Sequence, residues 1–252
     1  MKIAVAGATG TVGRHVVAVA HERGHEVLAL SRAAGVDLTS GLGLAEMLSG
    51  CQTVIDVTSL STQSADESKR FFTLVTSHLL AAEVQAGVTH HIALSIVGSD
   101  RAPFGYYAGK AAQESLVTEA AVPWTILRAT QFHEFARQIY GQVTIGPFTV
   151  IPTMISQPVA AREVAERLVF HAESGPNGLA TDLAGPEVLR MADMVWRYSQ
   201  AIGGTARVLE VPLPGGFGRA LRNSTLVASP SANHGKQTFS EWVDSVERLS
   251  WR

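Results

Sequence analysis

Residues 2–32 read KIAVAGATGTVGRHVVAVAHERGHEVLALSR, and this stretch decides the fold. A short apolar run, Lys2 to Ala6, leads into three glycines spaced three apart, Gly7, Gly10 and Gly13. An amphipathic run follows, with Val12, Val16, Val17, Val19 and Ala20 on its apolar face. Gly24 closes it, and a second apolar run, Val27 to Leu30, comes next. The order predicts strand, tight turn, helix and strand, a βαβ unit. Gly7 lets the chain turn off the strand, Gly10 lets backbone approach a pyrophosphate, and Gly13 lets the helix pack closely on the sheet. The N–H groups that open the helix favour an anion. With both strands and the helix in place, the turn Gly7, Thr9, Gly10, Thr11, Val12 and Gly13 predicts dinucleotide binding.

The end of the second strand selects the cofactor. Many NAD sites carry an Asp or Glu there for the ribose 2′-hydroxyl; this chain has Ser31 and Arg32. A guanidinium accepts a 2′-phosphate through charge-assisted hydrogen bonds, with the serine hydroxyl beside it. NADP(H) is therefore expected over NAD(H).

The composition fits one large α/β chain, 252 residues of which 46% are hydrophobic and only 17% charged, too few charges for a disordered chain. A net charge of −2 argues against nucleic acid as a partner. The one cysteine, Cys51, rules out a disulfide framework. There is no signal-peptide pattern and no apolar run of membrane-spanning length, so a cytoplasmic protein without membrane contact is expected, as a monomer or homodimer.

The third strand is predicted at Thr53–Val57. In a doubly wound sheet ligands lie at the carboxyl ends of strands, which puts Thr58 and Ser59 near the ribose or pyrophosphate. Residues 60–70 are polar, and a long helix is predicted from Phe71 to Ala86, ended by Gly87. His78 reads as a helix-face residue. The fourth strand is His90–Ile96, where the adjacent His90 and His91 point to opposite faces. No histidine has metal-ligand spacing, and no metal is expected.

Chemistry gathers after that strand. Ser95 stands at its carboxyl end; Tyr106 and Lys110 follow at i and i+4, on one helix face. A phenol has a pKa of about 10. An ammonium fixed beside it favours the phenolate and makes the phenol a better proton donor and acceptor near neutral pH. The same lysine can hold the nicotinamide ribose, and Ser95 can polarise a substrate carbonyl. Tyr107 is only three residues from Lys110, so spacing favours Tyr106.

GATGTVG, with glycines at Gly-x-x-Gly-x-x-Gly, resembles the short-chain dehydrogenase/reductase superfamily in its extended and atypical branches, and Ser95…Tyr106-x-x-x-Lys110 is similar to its catalytic arrangement. ALSIVGSD, PFGYYAGKAAQE, VPWTILRATQFHEF and the later LAGPEVL and PLPG extend the likeness to an atypical, NmrA-like subgroup over nearly the whole chain. The resemblance implies NAD(P)H binding, adenine contacts from Asp37 and Leu38, and a turn at Thr130, Gln131 and Phe132 facing the nicotinamide. Asp37 reads equally well as a loop capping residue, and Phe132 as core. NmrA-type regulators generally lack the tyrosine, so Tyr106 favours an enzyme. Gly109, inside the proposed catalytic helix, costs roughly 1 kcal/mol against alanine and implies close packing or local softness there.

The fifth strand is predicted at Trp124–Ala129. Eight of the ten prolines lie beyond Tyr140, so the C-terminal part should be loopier. It is expected to hold helices at Val159–Ala172, Met191–Ile202 and Glu241–Leu249 and strands at Thr181–Ala184 and Arg207–Val211. Phe148, Met154, Ile155 and Phe217 are candidate apolar walls of a substrate site. The expected architecture is a Rossmann-like doubly wound parallel sheet (1–140) with a small substrate lobe (141–252) in the same structural unit. The expected function is NADPH-dependent reduction of a carbonyl or quinone-type small molecule, with Tyr106, Lys110 and Ser95 as catalytic residues. The alternatives are a non-catalytic NADP(H)-binding redox sensor and a nucleotide-sugar epimerase or dehydratase.

Overall fold

The computed structural model describes residues 1–205 and 207–250, with the side chains of 142–145 and 247–250 outside the description. The N-terminal elements alternate as the patterning requires: β1 (Lys2–Ala6), α1 (Gly13–Glu22), β2 (Glu26–Leu30), α2 (Leu44–Met47), β3 (Thr53–Asp56), α3 (Ala65–Ala86), β4 (His90–Ile96), α4 (Tyr106–Thr118) and β5 (Trp124–Ala129). β1 pairs in parallel with β2 on one side and β3 on the other, and β3 pairs in parallel with β4. The strand order is β2-β1-β3-β4-β5.

That order reverses at β1. The first connection runs outward to β2, and the next crosses back to β3. The carboxyl ends of β1 and β3 therefore form a topological switch point, where open α/β sheets take ligands. Ile3 to Ala6 and Val54 to Asp56 are completely buried, as parallel strands covered on both faces must be. This is the Rossmann-like doubly wound fold that the glycine turn implied.

Contact density divides the chain into two compact units. The first is Met1–Arg128 with Arg162–Thr181. Its returning segment holds a helix at Ala161–Ser174 and the strand Gly178–Leu179, which pairs in parallel with β5. One core cluster joins Ala4, Ala6, Leu30, Leu44, Leu48, Val54, Val75 and Leu79, with Cys51 buried among them.

α3 begins six residues before the predicted Phe71. The Ser64 hydroxyl accepts the Glu67 N–H at 3.3 Å and caps the helix. Ser64-x-x-Glu67 is a helix-start signature hidden in a stretch that the sequence reading treats as a polar connection. Gly109 resolves as close packing: a Cβ there would stand 2.6 Å from the Phe72 ring and collide with Ser68 on α3.

The second unit comprises residues 129–161 and the chain from 182. It holds a small sheet of Thr144–Ile145, Phe148–Pro152 and Arg207–Val211, the last strand as predicted. Helices Met191–Ala201 and Phe239–Ser250 match the predicted ones within a few residues at each end, the usual uncertainty of helix boundaries. The predicted strand Thr181–Ala184 shortens to Leu183–Ala184, which pairs with Asn233–His234. His133, Phe239, Trp242 and Tyr198 pack ring against ring in this unit. Among the predicted apolar walls, Met154 is buried, whereas Phe148 is 40% exposed. No helix among the described residues is long and apolar enough to cross a membrane.

Candidate active site

The site is built from the switch point upward. Gly7 has φ +84°, and a Cβ there would meet the Val57 carbonyl oxygen at 2.8 Å. The turns after β1 and β3 thus touch through a missing side chain. A Cβ on Gly13 would collide with the Gly7 carbonyl, so only glycine lets α1 start so close to the strand end. Thr9, Gly10 and Thr11 are exposed on the rim of this turn, while Val12 is buried. No acidic side chain stands in the first turn of α1, and no side chain caps it. The positive end of the helix is left for an anion.

At the end of β2 the Ser31 hydroxyl accepts the Ala34 N–H at 3.3 Å and caps a short 3-10 turn at Arg32–Ala34. Arg32, the first residue of that turn, is exposed. Asp37 is exposed and its carboxylate takes the N–H and hydroxyl of Thr39 at 2.9 and 2.6 Å. Those bonds hold its carboxyl below the ordinary value. The Leu38 side chain belongs to the core. The Leu38 carbonyl meets Nδ1 of His78 at 3.1 Å, so the helix-face histidine pins the loop that follows β2, a role its sequence position did not announce.

The turn after β3 is buried through Thr58, and Ser59 is exposed. Asp56, fully buried at the end of β3, accepts the Thr58 N–H at 2.8 Å. The structure brings the hydroxyls of Ser59 and Tyr106 to 3.1 Å. Ser95 is buried, and its hydroxyl, like that of Thr58, finds no hydrogen-bond partner.

Tyr106 opens α4 with its ring edge-on to Phe72, 5.4 Å between centroids. Lys110 is 3% exposed. Its ammonium donates to the Leu94 carbonyl and to Oε1 of Gln113, both at 2.8 Å, and lies 4.3 Å from the centroid of the Phe72 ring. Burial lowers its pKa to about 8, against the opposing pull of Asp56 and Glu114. Tyr106 departs from the sequence-based chemistry. Burial first, then the negative charge of Asp56 and the neighbouring Tyr107, push the phenol up to about 12, and Ser59 is the partner that lowers it. The helix places Lys110 one turn on from Tyr106, where it donates to Leu94 and Gln113, and burial raises the phenol instead of the expected lowering.

Sequence reasoning missed three further residues. Gln113 joins Lys110 to Asp56, donating to the carboxylate at 2.7 Å. Arg128, at the end of β5, holds Glu114 through Nε and Nη2, the former at 2.9 Å, and Asp100 at 3.2 Å. Glu114 also accepts from Ser99 at 3.1 Å. The signal was present: an Asp and an Arg in otherwise apolar strands need buried partners.

Thr130, Gln131 and Phe132 lie in the second unit. The Thr130 hydroxyl donates to the Gln157 carbonyl, and Gln131 accepts from the Ser156 hydroxyl at 3.0 Å. Phe132 forms a bridge with Val159. These bonds tie the turn after β5 to residues 156–159. Among the described residues no group of three or more His, Cys, Asp and Glu side chains could hold a metal ion.

The glycine cradle and the two orphaned buried hydroxyls at adjacent strand ends fit a dinucleotide at the switch point. Taken together, fold and site define an NAD(P)-binding protein like the short-chain dehydrogenases/reductases. A family model described as NAD(P)H-binding matches residues 7–169, and the chain belongs to that family. A comparison with curated proteins finds no match. Among solved structures the chain is similar to a UDP-glucose 4-epimerase from Thermotoga maritima with UDP-glucose, at 15% identity over 100% of both chains and a TM-score of 0.78. It is also similar to a short-chain dehydrogenase/reductase superfamily protein from Agrobacterium tumefaciens with bound NAD, at 18% identity over 98% of this chain and 96% of that one, with a TM-score of 0.69. A dTDP-4-dehydrorhamnose reductase from Clostridium acetobutylicum matches at 14% identity over 99% of both chains, again with a TM-score of 0.69. At these identities the likeness is one of fold.

Proposed function

We propose that the protein is an NADPH-dependent reductase of a carbonyl or quinone-type small molecule. The observation that carries this reading is the buried ammonium of Lys110, held 2.8 Å from the Leu94 carbonyl at the strand whose end carries the orphaned Ser95 hydroxyl, with Tyr106 one helical turn away. The turn from Gly7 to Gly13 would hold the pyrophosphate, Arg32 and Ser31 the 2′-phosphate, and Lys110 the nicotinamide ribose. Asp37, Leu38, Thr58 and Ser59 complete the proposed contacts of the first unit. NADPH held there would supply a hydride for the substrate carbon. Ser95 donates a hydrogen bond to the substrate oxygen, where negative charge develops. Tyr106 gives that oxygen its proton, which the raised pKa keeps on the phenol until it is needed. The phenolate then regains its proton from solvent.

The test follows NADPH oxidation anaerobically against quinones, aromatic ketones and enones, with Tyr106→Phe beside the wild type. Turnover should fall roughly 10²- to 10⁴-fold in the variant, the usual worth of a general acid, while NADPH still binds. Turnover surviving in Tyr106→Phe would reject the assigned acid.

The second reading is a nucleotide-sugar epimerase, and the similarity to the Thermotoga maritima epimerase supports it. A sugar nucleotide calls for cations free to meet its diphosphate. In the second unit Arg190 is held by Glu210, whereas Arg137 and Arg219 are exposed, so the turnover test separates the two readings. An epimerase would interconvert sugars with no net NADPH consumption.

A further inference from the structure

The ammonium of Lys110 has three N–H donors. One goes to the Leu94 carbonyl and one to Oε1 of Gln113, each at 2.8 Å. The other end of the Gln113 amide donates to Oδ2 of Asp56 at 2.7 Å, and Oδ1 of Asp56 accepts the Thr58 N–H at 2.8 Å. Asp56 and Gln113 are fully buried and Lys110 nearly so. The row runs without a gap from the turn after β3, through α4, to the backbone of β4.

The amide can face only one way. Its oxygen meets the ammonium and its nitrogen meets the carboxylate; reversed, NH2 would face ammonium and oxygen would face carboxylate. Asp56 and Lys110 are both buried at opposite ends of the Gln113 amide. An amide between them satisfies both charges and keeps them apart. The Phe72 ring, 4.3 Å from Nζ, covers the α3 side of the ammonium.

We propose that Gln113 is a positioning residue for the cofactor: it spaces Lys110 from Asp56, leaves one N–H of Lys110 for the nicotinamide ribose, and anchors the Asp56–Thr58 turn. This rests on the proposed ribose role of Lys110 and extends it to a residue outside the Ser95, Tyr106 and Lys110 set. The charged and titratable groups around the ammonium are Asp56 from β3 and Glu114 and Tyr106 from α4. α3 offers the Phe72 ring and β4 the Leu94 carbonyl.

The experiment measures the dissociation constant of NADPH by fluorescence from pH 7 to 9.5. It compares the wild type, Gln113→Leu, Gln113→Glu, Lys110→Met and the Lys110→Met/Gln113→Leu double variant. Wild-type affinity should fall as pH rises past about 8, where Lys110 gives up its proton. Gln113→Leu removes an acceptor from the ammonium, so affinity at pH 7 should fall roughly tenfold, in the range of a charged hydrogen bond, and the midpoint should move to lower pH. Gln113→Glu puts a carboxylate against the ammonium, and the midpoint should move to higher pH. In the Lys110→Met background Gln113→Leu should cost much less, only the share that runs through the Asp56–Thr58 turn.

A Gln113 of structural importance alone would lower thermal stability and leave the pH midpoint in place, and that result overturns the proposal. So does an equal loss from Gln113→Leu with and without Lys110. If Gln113→Leu does not fold, the direction of the Gln113→Glu shift decides. If Lys110→Met binds NADPH as the wild type does, the ribose role of Lys110 fails and this inference fails with it. If Lys110→Met weakens binding while both Gln113 variants match the wild type, only the Gln113 assignment falls.

Discussion

The hydroxyl oxygens of Tyr106 and Ser59 lie 3.1 Å apart. The first residue of α4 is thereby hydrogen-bonded to the turn that leaves β3 at the switch point. Ser59 is the group that pulls the Tyr106 phenol down, against burial, Asp56 and Tyr107, which raise it to about 12.

Removing that bond in Ser59→Ala should raise the phenol further. Reduction, which needs the protonated form, should keep its rate through pH 9. Oxidation of the alcohol product needs the phenolate, so its rising limb should move to higher pH, with a loss at pH 8 of roughly 2- to 12-fold for a bond of about 0.5–1.5 kcal/mol. Rate profiles in both directions measure this, and an unmoved oxidative limb would sink it.

Arg32→Ala should remove the proposed 2′-phosphate contact. A hydrogen bond to a charged group is worth about 1.5–3 kcal/mol, so NADPH preference over NADH should fall roughly 10- to 150-fold. Titrating both cofactors checks it. Equal affinity for the two in the wild type would remove the NADPH assignment.

Gly13→Ala places a methyl group against the Gly7 carbonyl. The obstacle is backbone and cannot swing aside. The variant should lose about 3 kcal/mol of stability, the upper part of the usual overpacking range, and bind NADPH much less tightly. Urea unfolding and a cofactor titration read the two effects; a wild-type midpoint would show that the turn relaxes freely.

His133 is fully buried in the second unit, and Nε2 meets the Gln237 carbonyl at 3.1 Å. Burial, opposed by that bond, lowers its pKa to about 4. The folded value lies below the unfolded 6.5, so its contribution to stability is full above pH 6.5 and is lost as pH falls toward 4. His91 works in the opposite sense. Burial lowers its pKa, but its pairing with Glu83 at 2.8 Å raises it more; its contribution is full below pH 6.5 and fades as pH rises. His133→Phe keeps a ring against Phe239 and Trp242 and removes the titration. Between pH 6.5 and 4 it should lose about 2–3 kcal/mol less stability than the wild type. Urea midpoints at pH 7, 5.5 and 4.5 test this, and parallel losses in both proteins would reject it.

Much of the first unit was legible because its signals are local. Gly7, Gly10 and Gly13 announce a turn by spacing alone, apolar runs bounded by glycine mark β1, α1 and β2, and Pro123 opens the run of β5. The start of α3 was legible too, in Ser64 and Glu67, but the polar run around them masks a cap that only the bond at 3.3 Å makes visible. Gly109 gave a warning without its cause, because the cause is Ser68 and Phe72 on another helix. The short strands of the second unit were mostly missed; two-residue segments such as Ile155–Ser156 carry too little periodicity to read.

By itself the sequence determined the doubly wound fold, the glycine turn and the order Ser95, Tyr106, Lys110, since each depends on residues close along the chain or on period. Only the tertiary structure decided what those side chains touch. Asp56 and Gln113 are 57 residues apart and share a hydrogen bond, and Ser59 and Tyr106 meet across 47 residues. Those pairings set the charge state of the site, because a pKa answers to burial and to whatever charge folding brings near, and neither is written in spacing.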